Sequence, residues 1–166
     1  MQTYESEAYM KRKAILDNVY YEIGQQQYDF ELCILSNKFA SKWKSYLSAQ
    51  ADEDFIQCVN NRTILPCEVV LDIEEPIRFQ DIMSQVEKEF NCYMAYFTGS
   101  KGYHIHLYFD RKITPEEKLF IIKYYGCDEA KATERCMIAL ENCPHWKTGG
   151  IKTLVRCKPG LNLLGR

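Results

Sequence analysis

The hydrophobic and polar positions in the second half of the chain switch repeatedly between the period of a strand and that of a helix. Residues 68–74 form an apolar run interrupted by acids, which is typical of a buried strand. Pro76 then opens an amphipathic helix to about Phe90, with apolar side chains at helical intervals. Thr114 and Pro115 supply an N-cap and an early proline for a second helix. Further strands are predicted over residues 92–97, 103–109 and 136–140.

This order, β-α-β-β-α-β, predicts an α+β fold with the split βαβ arrangement of ferredoxin-like and RNA-recognition-type (RRM-like) domains. In that arrangement the first strand lies in the middle of the sheet, between the third and the fourth. We therefore expect strand 68–74 to pair with both 103–109 and 136–140.

The first 65 residues are predicted to flank this core. Apolar side chains recur near helical spacing from Glu5 to about Ile23, and the pattern stops at Gly24. Residues 30–35 are typical of a strand. The polar stretch up to Arg62 has apolar anchors for short helices at Trp43, Tyr46, Phe55 and Ile56. We expect a single domain over residues 1–166, with 1–65 as an N-terminal flank and 66–160 as the core.

Composition agrees with one compact domain. The chain has 166 residues, of which 46% are hydrophobic and 27% charged. It has no apolar run of about 18 residues and no signal-peptide pattern at its N-terminus. We expect a soluble, intracellular, cytoplasmic protein without a membrane partner.

The eight cysteines are scattered, and several lie in apolar runs, where cysteine packs as a small hydrophobic residue. Reduced core thiols are the favoured interpretation. A structural zinc site is the alternative, with Cys127, Cys136, Cys143 and His145 as ligands, but no C-x-x-C pair supports it.

The net charge of −2 argues against indiscriminate nucleic-acid binding through overall charge. The distribution of charge is more informative, because no acidic residue follows Glu141. The basic residues after it are Lys147, Lys152, Arg156, Lys158 and Arg166. This segment is either a phosphate-contacting strip or an ordinary solvated edge.

Asp72 and Glu74 are the strongest candidates for chemistry. Side chains alternate between the faces of a strand, so the two carboxylates share one face, as His104 and His106 do on their own strand. Paired carboxylates suit hard divalent ions such as Mg²⁺ or Mn²⁺ and leave coordination positions for substrate phosphates. The alternative is a solvated acidic strand of the kind common at sheet edges.

The turn at residues 98–104, Thr-Gly-Ser-Lys-Gly-Tyr-His, is the second candidate. Glycines allow a phosphate to approach the backbone closely, Lys101 adds charge, and His104 begins the next strand. A tight hairpin that needs glycine only for its conformation is the competing explanation.

Together these segments resemble the archaeo-eukaryotic primase superfamily, and most closely its compact primase-polymerase branch. Residues 69–74 resemble the hydrophobic-acid-hydrophobic-acid first motif, and residues 98–104 resemble the S-G-x-x-G-x-H second motif. The segment 144–149 resembles an H-x-K-T-G segment seen in some of these proteins. The resemblance covers about residues 66–160.

The resemblance implies that Asp72 and Glu74 hold two catalytic divalent ions. It further implies contacts from the second motif to the phosphates of the incoming nucleotide, with basic residues of the C-terminal segment neutralising triphosphate or template charge. The residues concerned are Ser100, Lys101, Gly102, His104, Lys147, Lys152 and Arg156.

Two departures from the family pattern stand out. Thr98 replaces the serine that normally opens the second motif. The third acid of the family is ambiguous here, since Glu141 ends strand 136–140 whereas Asp128 lies nearer the usual interval and has the pattern of a helix N-cap. We prefer Glu141 as the third metal ligand, with Asp128 as the alternative.

The leading function is a template-dependent nucleotidyltransferase, a primase or primase-polymerase that joins NTPs or dNTPs on single-stranded or primed DNA. A helicase or accessory primase domain is a possible partner. The alternatives are an RRM-like nucleic-acid-binding or replication-initiator module without synthesis and a metal-dependent nuclease.

Overall fold

The computed structural model describes residues 6–24, 30–39 and 42–160, which form a mixed α+β architecture with two antiparallel four-stranded sheets. The first sheet has the order β2-β1-β3-β7, and the second has the order β4-β6-β5-β8. The strands of the first sheet are β1 (Cys33–Ser36), β2 (Lys42–Ser45), β3 (Asn61–Thr63) and β7 (Met137–Ala139). Those of the second are β4 (Glu68–Ile73), β5 (Tyr93–Phe97), β6 (Tyr103–Tyr108) and β8 (Thr153–Lys158).

Five α-helices lie within the described ranges: α1 (Glu7–Asp17), α2 (Tyr46–Ala49), α3 (Glu53–Ile56), α4 (Phe79–Glu89) and α5 (Pro115–Tyr124). Helix α1 continues as a π-helical segment, Asn18–Gly24, and so ends at the predicted glycine. Helix α4 follows a 3-10 turn at Pro76–Arg78, and α5 starts at the predicted N-cap, where Thr114 and Glu117 form a capping box. A further 3-10 turn spans Glu129–Ala132.

Helices α4 and α5 cover one face of the second sheet. The alternate strand residues Val69, Leu71 and Ile73 point into this layer, where they pack with α4 residues at helical spacing. The α4 residues are Phe79, Ile82, Met83 and Val86. The intervening residues of β4 must therefore face away from the helices, and Asp72 is one of them.

The opposite face of the second sheet meets the first sheet. Ile64, Val70 and Ile138 form a small buried cluster between the two. A larger cluster joins the N-terminal helices to the first sheet and to Leu140 and Tyr108. Residues before position 65 thus supply three strands and part of the core on which the second sheet rests.

The position of the fourth predicted strand was wrong. The order of its first three strands agrees with the prediction, since β4 pairs with β6 and β6 with β5. Met137–Ala139, however, pairs with β3 of the first sheet, so β4 is one of the two edge strands of the second sheet among the described residues. The backbone ladder pairs Arg62 with Ile138, and this position suits the residues after β7, because Glu141 there pairs with the buried Arg62 of the same sheet.

Two further differences from the predicted elements concern Trp43 and the C-terminal segment. Trp43 does not anchor a helix, because it lies on β2 and is 47% exposed. Strand β8 was missed, having been interpreted only as a basic segment. Glu5 and Arg166 lie outside the described residues.

No helix in the described ranges combines the length and apolar character needed to cross a membrane.

Candidate functional site

A cleft of about 320 Å³ brings the two predicted motifs together. We call it the Asp72 cleft. Asp72 and Glu74 line it at the end of β4, and His104 lines it from β6. The remaining lining residues are Thr98, Ser100, Lys101, Gly102, Ala139 and His145. Both carboxylates, four residues of the predicted turn and the histidine after it therefore share one cavity.

The register of β4 and β6 explains this convergence. Asp72 is the cross-strand partner of His104, and Asp72 Oδ1 lies 3.5 Å from His104 Nε2. This separation is long for a hydrogen bond. His104 Nδ1 is buried and has no hydrogen-bond partner within the described residues. Burial, with the nearby charge of Lys152, holds the pKa of His104 well below its usual value, so the imidazole is neutral.

The electrostatics of Asp72 point to an under-compensated acidic site. Burial is the main cause of its raised pKa, and the negative charges of Glu74 and Asp128 add to it. Lys131 opposes the shift but does not reverse it. A cation placed between these oxygens would relieve the cost of the negative charge on the half-buried Asp72.

The glycine-rich turn is a tight hairpin closed by Thr98, the residue that stands for serine. Thr98 Oγ1 accepts hydrogen bonds from the amides of Ser100 (3.4 Å) and Gly102 (3.3 Å). A Cβ at Gly102 would lie 2.5 Å from the carbonyl oxygen of Ile73, so only glycine fits beside the end of β4. The turn leaves Ser100 and Lys101 exposed to solvent on the cleft.

A second loop, residues 144–151, packs directly on this turn. Gly99 has a φ of 86°, and a Cβ at Gly150 would lie 1.9 Å from the Gly99 carbonyl oxygen. The loop carries His145 into the cleft, and the His145 Nδ1 accepts hydrogen bonds from the amides of Lys147 (3.1 Å) and Thr148 (3.4 Å). The glycines at these positions therefore allow two backbone segments to touch as well as to turn.

Glu141 lies outside the Asp72 cleft, in a buried ionic cluster between the sheets. Arg62 donates to both oxygens of Glu141 at 3.1 Å and to both oxygens of Glu68 at 2.9 Å. The side chains of Arg62 and Glu68 are 0% exposed and that of Glu141 is 6% exposed. Arg62 keeps the pKa of both carboxyl groups below the usual value despite their burial. These contacts give Glu141 a structural partner.

Lys152 and His106 complete this cluster. Lys152 Nζ donates to His106 Nε2 at 2.9 Å and to the carbonyl oxygen of Ala139 at 2.9 Å. Because an ammonium group only donates, His106 must carry its proton on Nδ1, which lies 2.5 Å from Glu68. Lys152 is 1% exposed, and burial lowers its pKa to about 8. It is not on the surface that the sequence predicted.

Three other candidates do not line the cleft. Asp128 caps the 3-10 turn, accepting from the Ala130 amide at 3.0 Å, as its N-cap pattern predicted. Lys147 is exposed, with Nζ 5.0 Å from the centroid of the Trp146 ring. Arg156 pairs with Glu87 of α4 at 2.8 Å, on the helix-covered face away from the cleft.

Sequence reasoning missed Arg62, Glu68 and Lys131. A buried arginine inside a short strand has no local signal, because its two carboxylate partners are 6 and 79 positions away. Lys131 affects the pKa values of Asp72 and His104 from the 3-10 turn after α5. Glu68 had a weak signal, since it shares the strand face of Asp72.

The carboxylate oxygens of the cleft suit a hard divalent ion that takes its remaining ligands from phosphate and water. In the described ranges, no group of three or more His, Cys, Asp and Glu side chains is placed to hold a metal. Asp72 and Glu74 would supply carboxylate oxygens, and phosphate oxygens and water would complete the shell, as Mg²⁺ prefers.

The eight cysteines are free thiols, and burial raises the pKa of Cys33, Cys92 and Cys127 to about 11.

Comparisons of the chain with family models, curated proteins and solved structures give no match.

Proposed function

We propose that this chain is a template-dependent nucleotidyltransferase of the primase-polymerase kind, which joins NTPs or dNTPs on a DNA template. One observation carries the proposal: Asp72, Glu74, Ser100, Lys101 and His104 line a single cleft. Acids for a divalent ion and donors for phosphate are the two halves that nucleotidyl transfer requires.

We further infer that β4, α4, β5, β6 and α5 correspond to the RRM-like core of that family. The order β4-β6-β5 and the two helices on one face support this inference. The fourth strand of such a core is then diverted to the first sheet, where β7 borders the cleft through Ala139.

In this proposal the protein mainly positions the reactants. Lys101 and the Ser100 hydroxyl bind the phosphates of the incoming nucleotide at the exposed turn. His104 is neutral, so it acts as a hydrogen-bond donor to a phosphate oxygen and not as a charge. Asp72 and Glu74 would hold the divalent ions, which when bound stabilise the attacking hydroxyl and the departing pyrophosphate.

We propose Asp128 in place of Glu141 as the third acid. The charge of Asp128 contributes to the raised pKa of Asp72, so its field reaches the cleft. Glu141 has both oxygens bound to Arg62. Glu141 is also buried and does not line the Asp72 cleft, so it does not face a metal ion held by Asp72 and Glu74.

The geometry disfavours a simple RRM-like binding module. Such modules stack bases on open aromatic side chains of the sheet. Here Tyr96 and Tyr108 are buried at 3% and 5% exposure, and Tyr103 is stacked on Phe79 with ring centroids 3.9 Å apart. These aromatic residues already pack against the protein.

Primer extension tests the proposal. The full chain is incubated with primed and unprimed single-stranded DNA, labelled nucleotides and Mn²⁺ or Mg²⁺. The expected result is extension that the Asp72→Ala/Glu74→Ala variant loses. Glu75→Gln is the matched control, because Glu75 is exposed and lies outside the residues that line the cleft. Shortening of the DNA would instead indicate a nuclease, and binding without any product a non-catalytic module.

A further inference from the structure

The loop at residues 144–151 presents an exposed tryptophan on a backbone closed by its own hydrogen bonds. The amide of His145 donates to the Gly150 carbonyl oxygen, and the amide of Gly149 donates to the His145 carbonyl oxygen, both at 2.9 Å. Pro144 and Ile151 form a β-bridge that closes the loop. Trp146 is nevertheless 54% exposed. The fold thus holds a large aromatic ring in solvent.

Trp146 contributes to none of the buried hydrophobic clusters formed by the described residues. Its neighbours are polar: Lys147 Nζ lies 5.0 Å from the ring centroid, and the His145 ring is 6.4 Å away, tilted by 23°. An indole on a preformed loop loses little conformational freedom when a flat ligand stacks on it. This arrangement is a ready stacking surface.

The position of this surface relates it to the Asp72 cleft. His145 lines the cleft, and the loop touches the glycine-rich turn at Gly150. Trp146 is therefore at the rim of the cleft, next to the residue that enters it. A strand that enters the cleft from the side of this loop would pass this rim.

The charge of the loop selects the kind of ligand. Residues 142–160 contain no acid, and Lys147 and Lys101 are both exposed. An exposed aromatic ring with adjacent ammonium groups is complementary to single-stranded nucleic acid, whose bases stack and whose phosphates carry charge.

We propose that Trp146 and Lys147 form a contact for single-stranded nucleic acid, with a base stacked on the indole and a phosphate beside the ammonium group. Naming this strand as the template rests on the proposed function. The contact itself requires no synthesis.

Tryptophan fluorescence reports on the contact directly, because the chain has only two tryptophans. Trp43→Phe leaves Trp146 as the sole indole, and this variant of the full chain is titrated with oligothymidylate. The expected result is saturable quenching. In anisotropy measurements with labelled oligothymidylate, Trp146→Ala is expected to weaken binding between about 5-fold and about 150-fold. Trp146→Phe should restore part of the affinity, and Lys147→Gln should reduce the salt slope by about 0.7.

Trp43→Ala is the matched control, since Trp43 is 47% exposed on β2 and should not affect binding. Equal affinity of wild type and Trp146→Ala would overturn the inference, as would Trp146 fluorescence that changes only with protein concentration. Extension that survives Trp146→Ala with unchanged template affinity would refute the contact and leave the proposed function standing. Quenching of Trp146 fluorescence by DNA in a protein that extends no primer would support the contact and refute the proposed function.

Discussion

Asp72 and His104 are cross-strand partners on β4 and β6, and their side chains come within 3.5 Å of each other on the floor of the Asp72 cleft. The pair is electrostatically unbalanced, because the pKa of Asp72 is raised and the imidazole of His104 is neutral. A half-buried carboxylate beside a neutral partner costs stability. Such a cost is typical of a functional site.

Asp72→Asn is expected to stabilise the fold while abolishing activity. A raised carboxyl pKa means that the folded state disfavours the charge, and asparagine removes it at nearly constant shape. The melting temperature without added metal should equal or exceed that of wild type, while extension should fall by about 100-fold or more. Calorimetry at low ionic strength checks the first part, and a lower melting temperature would contradict it.

Gly149 and Gly150 should respond differently to alanine. Gly149 has a φ of 73° with no atom within 4 Å of an added Cβ, so Gly149→Ala carries only backbone strain of about 1 kcal/mol. Gly150→Ala places a Cβ against the Gly99 carbonyl oxygen and should cost about 1–3 kcal/mol.

Gly150→Ala should also reduce extension, because an added Cβ pushes against Gly99 and displaces the turn that carries Ser100 and Lys101. Urea unfolding and primer extension on both variants check this. Equal extension by the two variants would show that the contact between loop and turn does not matter for the site.

The meeting of the candidate residues in one cleft could be predicted from sequence better than the sheet order could. Asp72, Glu74 and His104 were predictable because strand alternation and a short hairpin are local rules. The partner of strand 136–140 was not, because its pairing with β3 joins segments far apart in the chain, as does the ion pair of Arg62 with Glu141, 79 positions later. The burial of Lys152 was unpredictable for the same reason. A lysine in a polar segment gives no sign that it will be buried in contact with a histidine 46 positions earlier in the chain.

Glu141→Gln and Asp128→Asn separate a structural acid from a functional one. Removing the Glu141 charge leaves Arg62 under-compensated in the interior, so the free energy of unfolding should fall by about 3 kcal/mol, while extension by the folded protein persists. Asparagine retains the N-cap role of Asp128, so the fold should survive while extension drops about 10-fold. Chemical unfolding and extension rates on both variants check this contrast. Unchanged stability with lost extension in Glu141→Gln would reverse the assignment.

Stability should fall below about pH 6.5 through His106. Burial is the main cause of its lowered pKa, and the charge of Lys152 adds to it, while Glu68 opposes the shift. Below the ordinary value of 6.5 the unfolded chain binds a proton that the folded protein does not, so acidification favours unfolding.

The measurement is the free energy of unfolding between pH 7 and 5, where one such group contributes up to about 1.4 kcal/mol per pH unit. His106→Gln should reduce this slope by that contribution. The contribution of His104 is present in both proteins and therefore cancels in the comparison of their slopes. Identical slopes for the two proteins would show that His106 binds its proton equally well in the folded and unfolded states, which would contradict the prediction.

The central claim is that Asp72 and Glu74 hold divalent ions together with a nucleoside triphosphate, and Mn²⁺ binding measured by electron paramagnetic resonance tests it most directly. Wild type should bind Mn²⁺ more tightly once a dNTP is added, because phosphate oxygens complete the coordination shell. The Asp72→Asn/Glu74→Gln variant should lose this binding, and Glu75→Gln should retain it. Equal Mn²⁺ affinity in wild type and the double variant, with dNTP present, would contradict the account.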